Sequence, residues 1–283
     1  MTVLLAWIDE FGGWLCADSA ATHQGRPRHS LTSFGELQTI DHATVEEAAI
    51  KISHLPSDVI AAACGDSRSA EKFLDLTRRE LIDNGAENLI TILKDLTIVS
   101  DSWEPFVLFF MQMTSDNDYQ LIGFDSRLGP SEPILNHRST ARDGSIEQMY
   151  YTTGSLKSSL SKQLVYAIGH IRKFPCTPEL RQMIAAVYMQ SMGIAEFLPS
   201  QGIGGAFWSA RLSHGECYWQ SDITYIIYTP GSFVPAPNDN SSASAIYQTA
   251  SADMVRCLIR DGIGFVISSV ERKSLALIPL GCT

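Results

Sequence analysis

The sequence opens with MTVLLAWIDEFGGWLCADSAAT over residues 1–22, and this stretch decides the fold. Thr2–Ile8 is rich in Val, Leu, Ile and Trp, which is typical of a β-strand. Asp9–Gly13 supplies turn residues, and Trp14–Ala17 resumes the strand. Because the apolar runs do not alternate cleanly with polar residues, we expect both strands to be covered on both faces.

The second residue of the chain is a threonine. Removal of Met1, which processing enzymes carry out readily before a small residue, would give Thr2 a free α-amine beside its hydroxyl. An α-amine has a pKa of about 8 and can take the hydroxyl proton at neutral pH. Thr2 is therefore a candidate nucleophile that carries its own base.

Composition and charge exclude several classes of protein. The 283 residues, 45% hydrophobic and 18% charged, suffice for one large globular domain or one domain with an appendage. A formal net charge of −10 leaves no basic surplus to neutralise phosphates, which argues against nucleic-acid binding. No apolar run approaches the roughly 18 residues of a membrane span, and no signal peptide is evident. We therefore predict a cytoplasmic protein with no membrane partner.

The metal-ligating residue types show no pattern that indicates a metal site. The six cysteines are scattered without a CxxC pair, and the seven histidines lack the spacing of metal ligands. Most cysteines lie in apolar runs, so we expect buried, reduced thiols. The sequence predicts no metal and no cofactor.

The order of the predicted elements indicates the fold class. A long polar loop is predicted over residues 23–42, and strands follow over 49–52 and 59–66. A helix then begins near Ser67, with Ser67 or Ser69 as its cap, and ends at Gly85, and a second helix covers Glu87–Leu96. A hairpin over 106–124 follows, then two helices over 156–173 and 177–192, then a hairpin over 206–228 whose second strand covers Cys217–Tyr228. This order predicts an α+β protein, a four-layer α/β/β/α sandwich with two stacked antiparallel sheets between pairs of helices.

A stretch rich in Pro, Ser and Asn divides the chain after residue 228. We predict a domain over residues 1–228, a linker over 229–245 and a C-terminal extension over 246–283. Within the tail, the residue pattern predicts a helix over Ala245–Ile259 and a hairpin that joins Gly264–Val270 to Leu275–Leu280.

Several motifs, taken in order, resemble those of proteasome β-type subunits, which are N-terminal-nucleophile (Ntn) hydrolases. Thr2 is followed by a strand, a turn and a second strand that ends in Ala-Asp-Ser, with Thr22 nearby. Lys51 precedes a strand that ends at Gly65. Gly154-Ser155 opens a predicted helix, and residues 204–205 form a Gly-Gly pair before a strand. The resemblance covers residues 2–228 and implies the Ntn-hydrolase fold.

The resemblance implies catalytic roles for five residues. Thr2 would attack an amide carbonyl, with its α-amine shuttling the proton. Lys51, paired with Asp18, would favour loss of that proton. The Gly65 backbone N–H would stabilise the oxyanion, and Ser155 would bind the Thr2 amine.

Three further residues are implied to bind the substrate: Ser19, Thr22 and Asp66. In this interpretation Thr22 and the residues near Gly65 line the cleft and pair with an extended peptide by strand addition.

The chain departs from the family before the Gly-Gly pair. The family carries an Asp and a Ser there, which help to order the N-terminal amine, and this chain carries Ser200 and Ile203. The insertion between Thr22 and Lys51 is also longer than usual.

The resemblance implies a threonine-type peptidase or amidohydrolase that cleaves peptide or amide bonds through an acyl-enzyme. It also implies a homo-oligomeric ring or barrel, and whether a regulatory ATPase serves it stays open. Ser200 and Ile203 keep a second hypothesis open, a catalytically inactive scaffold or interaction subunit. A third is a small-molecule amidase of the same fold.

Overall fold

The structure is a computed structural model of the chain. It describes residues 2–18, 20–23, 44–47, 51–100, 103–114, 118–132, 135–137, 149–152, 177–179, 181–182, 185–186, 189, 203, 207–220, 223–228, 243–248, 255–260, 263–267 and 278–279. Apart from His23, the loop predicted over residues 23–42 lies outside these residues, as does the helix predicted over 156–173.

The described residues form strands and helices in an order close to the predicted one. The first six strands are β1 (Val3–Asp9), β2 (Gly12–Asp18), β3 (Ala20–His23), β4 (Thr44–Glu47), β5 (Ile52–Leu55) and β6 (Val59–Gly65). The helices α1 (Ser67–Asn84) and α2 (Leu89–Ser100) follow, joined by a short 3₁₀ turn over Ala86–Asn88.

The remaining strands follow α2. They are β7 (Phe106–Met113), β8 (Tyr119–Asp125), β9 (Gly129–Pro130), β10 (Leu135–His137), β11 (Met149–Thr152), β12 (Phe207–Ser213), β13 (Glu216–Trp219), β14 (Ile223–Tyr228), β15 (Ala243–Gln248), β16 (Val255–Arg260), β17 (Ile263–Ile267) and β18 (Ile278–Pro279). Helical residues also occur at 178–179, 181–182, 185–186 and 189, and we refer to them as the 178–189 helical segment.

The first sheet has the strand order β11-β1-β2-β12-β13, and each adjacent pair is antiparallel. The predicted hairpin of β1 and β2 is confirmed, with a turn of only Glu10 and Phe11 between them. Gly12 closes this turn at φ +131, and a Cβ there would lie 2.1 Å from the Leu212 carbonyl oxygen. Only glycine fits this close approach of β2 to β12.

The second sheet has the order β10-β8-β7-β6-β5, with β9 paired to β8. The predicted hairpin of β7 and β8 is confirmed. Strand β5 comes first in the chain among the strands of this sheet. It covers Ile52–Leu55 rather than the predicted residues 49–52. Helix α1 ends at Gly85 as predicted. Its N-cap is Asp66 rather than the predicted Ser67 or Ser69, because the Asp66 carboxylate accepts a hydrogen bond from the Ser69 N–H.

The two sheets lie face to face, and helices cover their outer faces. A Cβ at Gly13 of β2 would lie 2.5 Å from the Met111 sulfur of β7, which shows how closely the sheets approach. On the outer face of the second sheet, Phe73 of α1 packs against Phe106 and Phe124.

The outer face of the first sheet packs against the 178–189 helical segment. Its buried residues form one apolar cluster with those of the segment: Val3, Leu5, Trp7, Trp14, Cys16, Ala185, Ala186, Met189, Ile203 and Phe207. Burial on both faces explains why the strands lack alternation. An α+β architecture with two antiparallel sheets is confirmed, and it is compatible with a sandwich.

A third sheet has the order β15-β14-β16-β17-β18. The predicted helix over Ala245–Ile259 is wrong, because β15 and β16 both pair with β14, in parallel and antiparallel respectively. The predicted continuous strand over Cys217–Tyr228 is also wrong, since β13 ends at Trp219 and β14 joins this third sheet. The predicted pairing near the end of the chain is present between β17 and β18.

The third sheet joins a strand before the predicted linker to strands after it. The linker predicted over 229–245 also overlaps β15, which begins at Ala243. The division into domains stays a prediction. Among the helices of the described residues, none is long and apolar enough to cross a membrane.

Candidate active site

Thr2 lies directly before β1, in the interior of the protein. It is 4% exposed, and Asp18, at the end of the neighbouring strand β2, is fully buried. The backbone N–H of Val3 donates to Asp18 Oδ1 at 3.0 Å, which fixes the start of β1 beside this carboxylate.

Lys51 reaches both of these residues from the second sheet. Its backbone carbonyl accepts from the Ala63 N–H at 2.9 Å, which anchors it beside β6. Its Nζ donates to Thr2 Oγ1 at 2.9 Å and to Asp18 Oδ1 at 2.8 Å. The structure thus brings Lys51 together with Asp18 and Thr2, which precede it by 33 and 49 positions in the sequence. Their predicted catalytic roles stay predictions.

The electrostatics of this trio favour a reactive hydroxyl. The Lys51 side chain is only 10% exposed, and Asp18 supplies the opposite charge that a buried ammonium needs. An ammonium that donates to a hydroxyl oxygen stabilises the negative charge that develops there when the proton leaves. The buried ion pair therefore holds the positive charge of Lys51 within hydrogen-bond distance of Thr2 Oγ1.

Gly65 ends β6 and adopts φ +95, in the region that favours glycine. Helix α1 begins two residues later, after its Asp66 cap. The partial positive charge at a helix N-terminus therefore lies next to Gly65 in sequence, where it would favour a developing anion.

The backbone pairing orients the Gly65 N–H. Gly65 lies opposite Phe106 in the pairing of β6 with β7. The Phe106 N–H donates to Ser126 Oγ at 3.1 Å, and the Phe106 carbonyl accepts from the Ser126 N–H at 3.0 Å. Because the N–H groups of alternate residues in a strand point to the same side, the Gly65 N–H points the way the Ala63 N–H does, toward Lys51. Strand β5 begins at Ile52, after Lys51, so no residue of a described strand lies opposite Gly65 on that side to accept a hydrogen bond from its N–H. This orientation suits an oxyanion donor.

Replacing Gly65 by alanine is expected to destabilise the fold beyond the effect of its positive φ. A Cβ at Gly65 would lie 2.7 Å from the Pro105 carbonyl oxygen, whereas a Cβ at Gly215, φ +79, would lie 3.4 Å from its nearest neighbour. Because the closer contact forces the backbone to shift, we expect Gly65→Ala to lower the free energy of unfolding by about 1–3 kcal/mol more than Gly215→Ala. Urea unfolding of both variants measures the difference, and equal losses would contradict the close contact.

The other residues that the sequence analysis singled out lie in different parts of the chain. Thr22 lies on β3, is exposed and stands opposite Val45 of β4. Asp66 serves as the N-cap of α1, so one of its carboxylate oxygens is already engaged at 2.8 Å. Ser19 and Ser155 lie outside the described residues. Ile203 is buried in the apolar cluster of the first sheet.

A buried network at the other end of β1 escaped the sequence interpretation. Asp9 is 2% exposed and accepts from the indole N–H of Trp7 at 3.2 Å and of Trp14 at 2.8 Å. It also accepts from the Phe11 N–H at 2.9 Å and from Arg181 at 2.8 Å. A carboxylate at the end of a fully apolar strand is expected to be buried and therefore to need such partners. The position of Asp9 after an apolar run could thus have predicted the network.

The three described cysteines are not joined by disulfide bonds. Cys16 and Cys64 are buried, and Cys217 is partly buried. Burial raises the pKa of Cys16, with the charge of Asp18 as a second cause, and burial raises the pKa of Cys217 to about 11. Because the thiolate is the reactive form of cysteine, we expect Cys16 and Cys217 to react slowly at neutral pH.

Alkylation of Cys217 by iodoacetamide is therefore expected to accelerate steeply with pH. A raised pKa means that the thiolate forms only at high pH, so the rate should rise about tenfold per pH unit toward pH 11. Peptide masses after timed alkylation at pH 7 and pH 9 measure this. A fast reaction at pH 7 that levels off by pH 9 would contradict the raised pKa.

Within the described part of the chain, no group of three or more His, Cys, Asp or Glu side chains could hold a metal ion. No model of a known protein family matches the sequence, and no curated protein matches it.

Proposed function

We propose that this chain is a threonine Ntn hydrolase that cleaves an amide bond through an acyl-enzyme at Thr2. One observation carries the proposal: Lys51 Nζ donates to both Thr2 Oγ1, at 2.9 Å, and Asp18 Oδ1, at 2.8 Å, in a nearly buried site. The site thus joins a hydroxyl nucleophile to an adjacent cation and to a carboxylate that holds the cation in place, a set of groups that can activate the hydroxyl.

Each residue has a role in the proposed reaction. With Met1 removed, the α-amine of Thr2 takes the hydroxyl proton while Oγ1 attacks the amide carbonyl carbon. Lys51 stabilises the charge developing on Oγ1, and the Gly65 N–H binds the carbonyl oxygen as it becomes an oxyanion. The proton passes to the leaving amine, the C–N bond breaks, and water then hydrolyses the ester on Thr2 by the reverse proton path.

The architecture supports the finer fold assignment. Two stacked antiparallel sheets with helices on their outer faces agree with the four-layer Ntn-hydrolase sandwich. The proposal includes a peptide or amide substrate, a cytoplasmic location and assembly of several copies into a ring or barrel.

Ile203 favours one alternative, a catalytically silent subunit of the same fold. The side chain at this position is 1% exposed and packs in an apolar cluster, so it offers no hydroxyl to order an N-terminal amine. Such a subunit would keep the ion pair of Lys51 and Asp18 for structure alone.

Covalent labelling separates the two candidates. We expect a β-lactone or epoxyketone probe to add one adduct per chain to Met1-free protein, as measured by intact mass, and to add none to Thr2→Ala. Thermal melting of both samples checks that they are folded. Absence of an adduct on folded, Met1-free protein would favour the silent subunit, and light scattering would show whether an active protein assembles into a ring.

A further inference from the structure

The outer face of the first sheet changes from apolar to polar at β12 and β13. Ser209 and Arg211 lie opposite Cys16 and Trp14 in the ladder, so they share the face that packs against the 178–189 helical segment. Tyr218 lies opposite Arg211. Together with Gln220, one residue past β13, we call Ser209, Arg211 and Tyr218 the β12–β13 polar patch.

Arg211 is buried with little compensation for its charge. Its side chain is 9% exposed, and its closest carboxylate contact is Glu179, 3.9 Å away and itself 56% exposed. Nη1 donates to the Phe11 carbonyl at 2.9 Å, and the guanidinium stacks on Trp14 and Tyr218 with its carbon 5.5 and 4.4 Å from the ring centroids. Its Nε is buried and has no hydrogen-bond acceptor.

Gln220 carries a second buried donor without a partner. The residue is 4% exposed, and its Oε1 accepts from Ser209 Oγ at 3.0 Å. Its backbone N–H donates to the Ser209 carbonyl at 3.0 Å, which fixes it across the strand from Ser209. Its Nε2 is buried and has no acceptor. The polar patch therefore holds two buried N–H donors and one poorly compensated positive charge.

Among the described residues of the 178–189 helical segment, Gln182 contacts the patch as a donor and not as the missing acceptor. Gln182 donates its side-chain N–H groups to the Ser209 and Tyr218 carbonyls, each at 3.3 Å. Buried donors without acceptors are unfavourable, and a buried cation requires a nearby negative charge. Both needs are met by one ligand that is small, negatively charged and an acceptor only.

We propose that the β12–β13 polar patch binds a small monovalent anion, such as chloride, between Arg211 and Gln220. The anion accepts from Arg211 Nε and Gln220 Nε2 and neutralises the guanidinium. It thereby links β12 to the residue after β13. The proposal does not depend on the proposed catalytic function.

Thermal melting in chloride tests the site. The full chain is titrated with sodium chloride at constant ionic strength, with sodium gluconate as the balancing salt. We expect the melting temperature to rise by about 2–4 °C when chloride exceeds its dissociation constant about fivefold, and then to keep rising with the logarithm of the chloride concentration. A melting temperature that does not change with chloride, or that rises without this logarithmic form, would overturn the proposal.

Two variants locate the response. Gln220→Glu places a carboxylate of the same size inside the patch, so we expect the chloride response to disappear. Arg127→Met removes an exposed arginine that pairs with Asp125, so it should keep the full response. Gln220→Glu protein that responds to chloride as the unmodified chain does, or Arg127→Met protein that has lost the response, would overturn the assignment.

Discussion

Replacing Lys51 by methionine is expected to slow covalent labelling of Thr2 by about 10²–10³-fold, the usual contribution of one positioned group that stabilises a developing charge. Methionine keeps the length and apolar stem of the side chain but removes the ammonium that donates to Thr2 Oγ1 at 2.9 Å. The charge on the attacking oxygen then develops without a neighbouring cation. Pseudo-first-order labelling rates from intact mass, on Met1-free protein, measure the effect.

Two further variants separate chemistry from stability. Lys51→Met takes from the fully buried Asp18 the ammonium that lies 2.8 Å away, so the double variant Asp18→Asn/Lys51→Met, which removes both charges, should recover stability. It should remain slow. As a control, Lys72→Met removes a lysine on α1 that lies over the Trp103 ring. The Lys72→Met protein should label at the normal rate. Normal labelling of the double variant would contradict the role of Lys51.

Replacing Asp9 by asparagine is expected to lower the free energy of unfolding by about 3–5 kcal/mol, because it leaves Arg181 buried without its main counter-charge. The two side chains are 0% and 4% exposed and 2.8 Å apart. The second contact of Arg181, to Glu10 at 3.1 Å, involves a half-exposed carboxylate and offsets only part of the loss. Urea unfolding measures the change.

A surface pair provides the matched control for Asp9. Asp75 pairs with Arg78 on α1 with both side chains substantially exposed, and Asp75→Asn should change the free energy of unfolding by only about 0–1 kcal/mol. The double variant Asp9→Asn/Arg181→Met should recover part of the loss, because it removes the buried guanidinium together with the buried carboxylate. Equal effects of Asp9→Asn and Asp75→Asn would contradict the structural role of the buried network.

The sequence sufficed for the elements that have strong local signals. The β1–β2 hairpin, the end of α1 at Gly85 and the β7–β8 hairpin follow from apolar runs bounded by turn residues. The pairing of Lys51 with Asp18 was reached only through the resemblance to a family, since nothing local links residues 33 positions apart.

Other features depend on tertiary contacts that a local pattern does not encode. The Ala-, Met- and Leu-containing run after residue 245 has helical propensity, but pairing with β14 makes strands of its two ends. Arg181 meets Asp9 across 172 residues, and its position in a helical pattern gave no sign of that partner. The capping role of Asp66 was missed because Ser67 and Ser69 are equally good caps by residue type.

The most direct test of the account is tandem mass spectrometry of the chain after reaction with a β-lactone probe. We predict that the adduct lies on Thr2, that every labelled chain lacks Met1, and that Lys51→Met slows the labelling. A folded, Met1-free protein that carries no adduct, or carries it on a residue other than Thr2, would contradict the claim that Thr2 is the nucleophile.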